Sequence, residues 1–306
     1  MHRITPALVA LVLVLAACGS GDSDATQTAT QTAPPTDEPS DSPAASPSFD
    51  PELLDRRWTI LFAGTDLNAA REERNDPVST DALMLVSLSD DQSRLAMVSL
   101  PRDTVDVPLP GGETYPRKIN GLYREEGIGA LVEAMEALFE VTIDAHVVLD
   151  MDDFTRLVDA VGGVEVSPAE PLEDPIVDLD LDPGPQEIDA VTANGYVRTR
   201  VDQDYGRMGR QQEVLLAIIA RMVDPGRSLD LSALADSLDS LETDLPLDAL
   251  PTLLELARRA TDADLERLLI RPPLITFEGD RNDGRGYILE ADVEAIRDEV
   301  RDLIAD

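Results

Sequence analysis

Cysteine, histidine and lysine are almost missing from this chain. Its 306 residues hold one cysteine, Cys18, two histidines, His2 and His146, and a single lysine, Lys118. One thiol cannot close a disulfide within the chain. His146 lies in the apolar run Ala145-His146-Val147-Val148-Leu149 and reads as a packed or strand-edge residue. Thiol catalysis and histidine-rich zinc sites are thereby excluded, and a Ser-His-Asp triad is disfavoured. There is no internal repeat and no Gly-rich phosphate loop of the Walker or dinucleotide type. Chemistry is left to carboxylates, arginines and a hard, oxygen-loving cation.

Positive charge is scarce as well. Sixty-one acidic residues stand against 25 Lys plus Arg, a formal charge of −36. That balance argues against nucleic acid and against charge-driven adhesion to anionic lipid. The N-terminus reads as a lipoprotein signal peptide over residues 1–17. A short basic start precedes an unbroken apolar run, residues 7–17, too short to span a bilayer, which takes about 20 residues. Leu15-Ala16-Ala17-Cys18 resembles a lipobox, which makes Cys18 the expected lipidation site. Residues 18–50 then form a tether rich in Ser, Thr, Pro and Asp. With Phe49 as its one large apolar side chain, this segment cannot offset the entropy of folding. Residues 51–306 remain for one domain.

Within that domain, residues 57–63 read as a strand that ends at Gly64-Thr65-Asp66. A charged loop containing Arg71 and Arg74 leads to Asp81, which opens a second strand over residues 82–88. Residues 94–100 return as its antiparallel partner and end in Pro101-Arg102-Asp103. Two acids and an arginine thus fall at strand ends around one hairpin. A divalent cation held by Asp66 and Asp81 would relieve their repulsion and leave Arg102 for an anion. Lys118 sits in a small basic patch with Arg117. Periodicity predicts helices over residues 127–140, 154–161, 215–222, 231–241, 250–259, 263–270 and 293–304.

The densest positive charge is Tyr196-Val197-Arg198-Thr199-Arg200, followed by Arg207, Arg210 and Gln211. Arginine's planar fork suits phosphate or carboxylate. Arg198 and Arg200 share a face if the segment is an extended strand or strand end. Arg207 and Arg210 share one at the start of a helix, where free amides also favour anions. The alternative is a solvated run whose arginines pair with the surplus carboxylates.

Taken in order, Gly64-Thr65-Asp66, Thr80-Asp81-Ala82-Leu83-Met84, Val98-Ser99-Leu100-Pro101-Arg102-Asp103, Lys118-Ile119-Asn120, the Asp159–Val164 segment, Tyr196–Arg200 and Gly206–Gln212 resemble the LytR-CpsA-Psr family. The resemblance implies an α/β fold, a single domain with a central mixed β-sheet packed between layers of α-helices. It implies an extracytoplasmic phosphotransferase, lipid-anchored at the membrane, that moves a polyprenyl-pyrophosphate-linked glycopolymer onto peptidoglycan. By position, Asp66 and Asp81 match Mg2+-binding (or Mn2+-binding) acids. Arg102, Arg198 and Arg200 match a pyrophosphate clamp, assisted by Lys118, Arg207, Arg210 and Gln211. The chain departs from the family at Ser79 and Ala82, where an arginine and a threonine are usual. That leaves open a non-catalytic relative binding polyprenyl phosphates or wall glycopolymers. A solute-binding lipoprotein is a third reading, and it leaves the arginine cluster unexplained.

Overall fold

The computed structural model describes residues 49–226 and 229–305. The signal peptide, Cys18 and all of the expected tether except its last two residues lie outside the described residues. Six strands form the main sheet: β1 (Trp58–Thr65), β2 (Thr80–Leu88), β3 (Arg94–Ser99), β4 (Ala145–Leu149), β5 (Glu242–Thr243) and β6 (Asp264–Leu269). Their order is β5-β4-β1-β2-β3-β6, and β1/β4 and β3/β6 are parallel while the other pairs are antiparallel. The sheet is therefore mixed. A separate hairpin follows, made by β7 (Ile275–Asp280) and β8 (Tyr287–Ala291). The described helices are α1 (Pro51–Leu54), α2 (Ala69–Arg74), α3 (Leu122–Phe139), α4 (Met151–Ala160), α5 (Ala190–Arg198), α6 (Gln203–Val223), α7 (Leu231–Asp239), α8 (Leu250–Asp262) and α9 (Val293–Ile304).

Both faces of the sheet are covered, which is why β2 reads as an apolar run with no polar alternation. Leu83 and Leu85 pack with Leu131, Met135 and Leu138 of α3 and with Ile296 and Val300 of α9. Met84, Val86 and Leu88 point the other way, into a cluster with Leu54 of α1 and Leu256 of α8. A third cluster joins α4, α5 and α6 to short ribbons, with Leu149 at the end of β4 packed against it. The expected layered α/β architecture is what the chain adopts. No helix among the described residues is long and apolar enough to cross a membrane.

Two local expectations fail, each for a definite reason. Residues 263–270 carry helical spacing but form β6, which pairs with β3 from Asp264 opposite Arg94 to Leu269 opposite Ser99. A six-residue stretch gains more by extending the sheet than by closing one or two helical turns, so tertiary pairing overrides propensity. Arg198 does not lie on a strand; it is the last residue of α5, and Arg200 lies in the loop after it. Asp189 starts that helix by accepting the Thr192 amide at 2.8 Å, and Ala190, Ala193 and Tyr196 bury one helical stripe.

Gln212 ties α6 to the sheet. Fully buried, it donates through Nε2 to Ser99 Oγ at 2.9 Å and accepts at Oε1 from Arg267 Nε of β6 at 2.8 Å. Gln212→Ala strands both partners and leaves a void, so it is expected to cost about 2–3 kcal/mol. Urea unfolding of the variant against the wild type measures the loss.

Candidate active site

Asp66 follows the last residue of β1, and Asp81 is the second residue of β2. The β1/β2 register pairs Gly64 with Ala82 but Thr65 with Thr80, so Asp81 is the unpaired residue of a bulge. A bulge re-aims one side chain out of the ladder. Here the re-aimed group is the second acid. Gly64 suits the position beside it, opposite Ala82: a Cβ there would come 3.1 Å from the Ala82 methyl, a tight contact.

The Asp81 carboxylate takes Arg102 Nη1 on Oδ1, and Arg200 Nη2 stands 3.7 Å from Oδ2. Arg207, only 2% exposed, donates to the Asp81 carbonyl at 2.6 Å and grips Asp204 Oδ1 with Nε and Nη2 at 3.0 and 2.8 Å. Arg200 Nε lies 3.6 Å from the same Asp204 oxygen. Arg102, Arg200 and Arg207 thus converge on Asp81 and Asp204. Burial works against the Arg102 charge, but Asp81, Asp103 and Asp204 outweigh it and raise its pKa. Burial prevails at Arg207, with the Arg200 and Arg102 charges acting in the same direction, and its pKa falls. Arg102 Nε is buried without a hydrogen-bond partner, a donor left over beside the cluster.

Asp66 accepts the Ser79 amide at 2.7 Å and pairs with Arg71 Nη2 at 3.1 Å. Arg71 comes from α2, whose first turn is capped by Asn68. Its Nη2 also donates to the Pro77 carbonyl at 2.8 Å, and its Nε is buried without a partner.

These groups border a cavity of ≈ 500 Å³, lined by Asp66, Arg71, Asp81, Arg198, Arg200, Arg207 and Gln211 on its polar side. Apart from Thr65, Asn68 and Asp150, the rest of the wall is apolar, including Phe62 and Met84 from β1 and β2, Val147 and Leu149 from β4, and Phe154 and Leu157 from α4. One stripe of α6 serves both parts. Arg207, Gln211, Val214, Leu215, Ile218, Ile219 and Met222 recur at helical spacing, so the wall changes from charged to apolar along roughly 22 Å of helix.

Lys118 and Arg210 do not line this cavity. Lys118 pairs with Asp103 at 3.0 Å, one residue beyond Arg102. Arg210, 6% exposed, is spent on structure: it donates to the Tyr196 carbonyl at 2.9 Å, the Thr199 carbonyl at 2.5 Å and Asp202 at 2.6 Å. Those bonds fix the loop that carries Arg200. Gln211 lines the cavity and donates to the Val197 carbonyl at 3.3 Å. Arg198 lines it as well, with Nη1 on Asn194 Oδ1 at 3.3 Å. His146 is paired with Asp244 at 3.1 Å.

Among the described residues no three acids, histidines or cysteines are gathered to hold a metal. Two carboxylates on one cavity are nevertheless the donor set that Mg2+ uses when phosphate oxygens and water complete its octahedron. Asp66 and Asp81 could hold such an ion. The apolar wall is what sequence reasoning did not assign, and between Arg71 and Arg74 it left open which would stand in for the arginine usual at position 79. Phe62, Met84 and Ile218 carry the same signal as core residues, and Arg71 announces itself only as a charge in a long loop.

The LytR_cpsA_psr family model matches residues 20–298. The chain belongs to this family. It is 36% identical over 154 residues to the probable cell wall biosynthesis protein LcpB of Corynebacterium glutamicum, covering 49% of this chain and 36% of that protein. It is 29% identical over 249 residues to the polyisoprenyl-teichoic acid–peptidoglycan teichoic acid transferase TagU of Halalkalibacterium halodurans, covering 78% of this chain and 76% of that one. The crystal structure of Bacillus subtilis TagV shares the fold, with TM-score 0.61 and 24% identity over 82% of this chain and 98% of that one. The chain spans about a third to a half of the length of the first curated relatives it matches.

Arg210 and Arg198 are expected to separate structure from function. Arg210→Ala leaves two carbonyls unpaired in a buried setting and should lower stability by about 2–3 kcal/mol. Arg198→Ala, at an exposed helix end, should stay within about 0.5 kcal/mol. Chemical denaturation of the two variants checks both values.

Proposed function

We propose that the chain is an extracytoplasmic phosphotransferase of the cell envelope, anchored by lipid at Cys18. It takes a polyprenyl-pyrophosphate-linked glycopolymer as donor and a peptidoglycan hydroxyl as acceptor. What supports this reading is one cavity that is apolar along its length and guarded by arginines at one end. An isoprenoid tail needs such a wall, and a pyrophosphate needs such a mouth. The name of the TagU relative describes transfer of teichoic acid from a polyisoprenyl carrier to peptidoglycan, which is chemistry of this class.

In the proposed reaction the acceptor oxygen attacks the phosphorus that bears the glycan. A new P–O bond forms, the bond from that phosphorus to the bridging oxygen breaks, and polyprenyl phosphate leaves with the bridging oxygen and its electron pair. The hydroxyl proton passes to solvent or base. Arg102, Arg200 and Arg207 hold the phosphates and spread the negative charge; Arg198 and Arg71, which also line the cavity, add to that positive charge. Such transfer is mostly positioning and charge neutralisation, so no covalent nucleophile is needed. When bound, Mg2+ (or Mn2+) at Asp66 and Asp81 would supply further neutralisation of phosphate charge. Arg71 beside Asp66 gives the mouth an arginine in a chain that has Ser79 at the position where the resemblance leads one to look for it.

Ala82 favours a second reading. It places a methyl on the cavity wall where a threonine would place a hydroxyl, and a relative that binds lipid phosphates without turnover would tolerate that loss.

Incubating the purified chain with a lipid-linked oligosaccharide, peptidoglycan and Mg2+ should yield conjugate and polyprenyl phosphate. Lipid binding with no conjugate would select the second reading. Arg200→Ala is expected to weaken lipid-phosphate affinity about ten- to hundredfold, through loss of charge-assisted bonds worth roughly 1.5–3 kcal/mol. Asp81→Ala should instead remove the Mg2+ dependence of transfer and cost lipid affinity less, because it also removes a negative charge from the mouth. Calorimetry with and without Mg2+ distinguishes the two.

A further inference from the structure

The β7/β8 hairpin is attached beside the mouth. Thr104 bridges Leu289 of β8, the Val105 amide donates to the Leu289 carbonyl at 3.0 Å, and the Leu289 amide donates to the Asp103 carbonyl at 3.0 Å. The attachment therefore starts one residue after Arg102. On the hairpin, Glu278 takes two tyrosine hydroxyls. Tyr205, from the first turn of α6, donates to its Oε1, and Tyr287 donates to its Oε2 at 3.4 Å. Tyr205 directly follows Asp204, the acid that holds Arg207 and faces Arg200. The hairpin's tyrosine–glutamate group and the arginine cluster thus meet through neighbouring residues of α6.

Tyr287 is 53% exposed in a chain where aromatics make up 4% of residues. Partial burial, then the charges of Glu278, Asp103 and Asp204, raise the pKa of its hydroxyl, so the ring stands among the acids that hold Lys118 and Arg207. The charge of this surface limits what it can receive. Arg281 is already paired with Glu290, and Arg285 with Asp283 and Asp106. Asp103 and Asp204 are likewise paired, with Lys118 and with Arg207. The arginines of the hairpin are thus spent, and Glu278, held among the described residues only by tyrosine hydroxyls, leaves a local negative charge that disfavours a polyanion. An exposed ring offers stacking to the apolar face of a pyranose, and a carboxylate accepts its hydroxyls.

We propose that Tyr205, Glu278 and Tyr287 form a docking ledge for the acceptor, a hexosamine glycan strand whose pyranose faces and hydroxyls the ring and the carboxylate receive, which presents its hydroxyl to the pyrophosphate at Arg102 and Arg200. The assignment rests on the phosphotransferase reading and adds to it where the second substrate lies. The cavity takes the lipid tail on one side of the arginines, and the ledge takes the acceptor on the other.

The test titrates soluble, uncrosslinked peptidoglycan glycan strands into the full chain in detergent, by NMR or calorimetry. Tyr287→Ala should weaken binding tenfold or more and Glu278→Gln several-fold, while Tyr287→Phe, which keeps the ring, should stay within about twofold. Affinity for polyprenyl phosphate should be unchanged in all three, and in the transfer assay the acceptor KM should rise with kcat nearly constant. Tyr287 is exposed, so these losses are not confounded by unfolding, and a far-ultraviolet spectrum and melting curve equal to wild type confirm it. Equal glycan affinity in all variants would overturn the ledge, as would a wild type that binds no strands at millimolar concentration. Stronger, Tyr287-dependent binding of a polyanionic teichoic acid would overturn the choice of acceptor. Failure of the wild type to bind polyprenyl phosphate would overturn the phosphotransferase reading instead, and the glycan titration would still judge the ledge.

Discussion

One aspartate organises the mouth of this protein. Asp81 binds Arg102 through one carboxylate oxygen, faces Arg200 with the other, and offers its carbonyl to Arg207. Three guanidinium groups at such range repel one another, and two are substantially buried. Asp81 and Asp204 make the arrangement tolerable before any substrate arrives. The bulge between Gly64 and Thr65 is the backbone device that makes it possible, since an unbroken ladder would point residue 81 elsewhere. The same economy explains Arg210, which sits inside the cluster in sequence but outside it in chemistry. Its donors lock the Tyr196–Thr199 backbone so that Arg198 and Arg200 reach the cavity.

The second constraint is the junction of charge and hydrocarbon along α6. A helix that carries Arg207 and Gln211 at one end of a stripe and Ile218, Ile219 and Met222 at the other can serve a ligand that is itself divided in this way. A polyprenyl phosphate is such a ligand. On the proposed reading, the chain's large negative charge would favour this arginine cluster as the anion site, because an anion would find few other places to bind. It also keeps the surface from adhering to anionic lipid by charge.

Much of the fold was legible because its signals are local. The apolar run of β2, the spacing of Phe154, Leu157, Val158 and Val161 at α4 and the stripe of α9 each announce their element before any tertiary contact forms. By contrast, α5 was not read as a helix, and the cap of α4 is Asp150, two residues before the expected Asp152. β6 was not legible: Leu265, Leu268 and Leu269 carry helical spacing, and only the open edge of β3 decides for a strand. At the site, Asp66, Asp81, Arg102, Arg198 and Arg200 stood out as charges at motif positions, and the structure places four of them on one cavity with Arg102 bonded to Asp81. The cavity itself left no trace in the sequence. A void between Met84 and Ile218 is a matter of how far apart two elements pack, and an apolar residue reads alike whether it faces a neighbour or a space. Arg71 was hidden for a different reason, since a short helix inside a charged loop gives no sign of which side chain turns inward.

The account stands on the claim that one cavity takes an isoprenoid tail while the arginines hold its phosphate. Its most direct test is calorimetric affinity for a series of polyprenyl phosphates of increasing chain length. Affinity should rise by about tenfold or more with each added isoprene unit until the cavity is filled, and then level off. Affinity independent of chain length would mean that the phosphate binds while the tail stays in water, and would contradict the account.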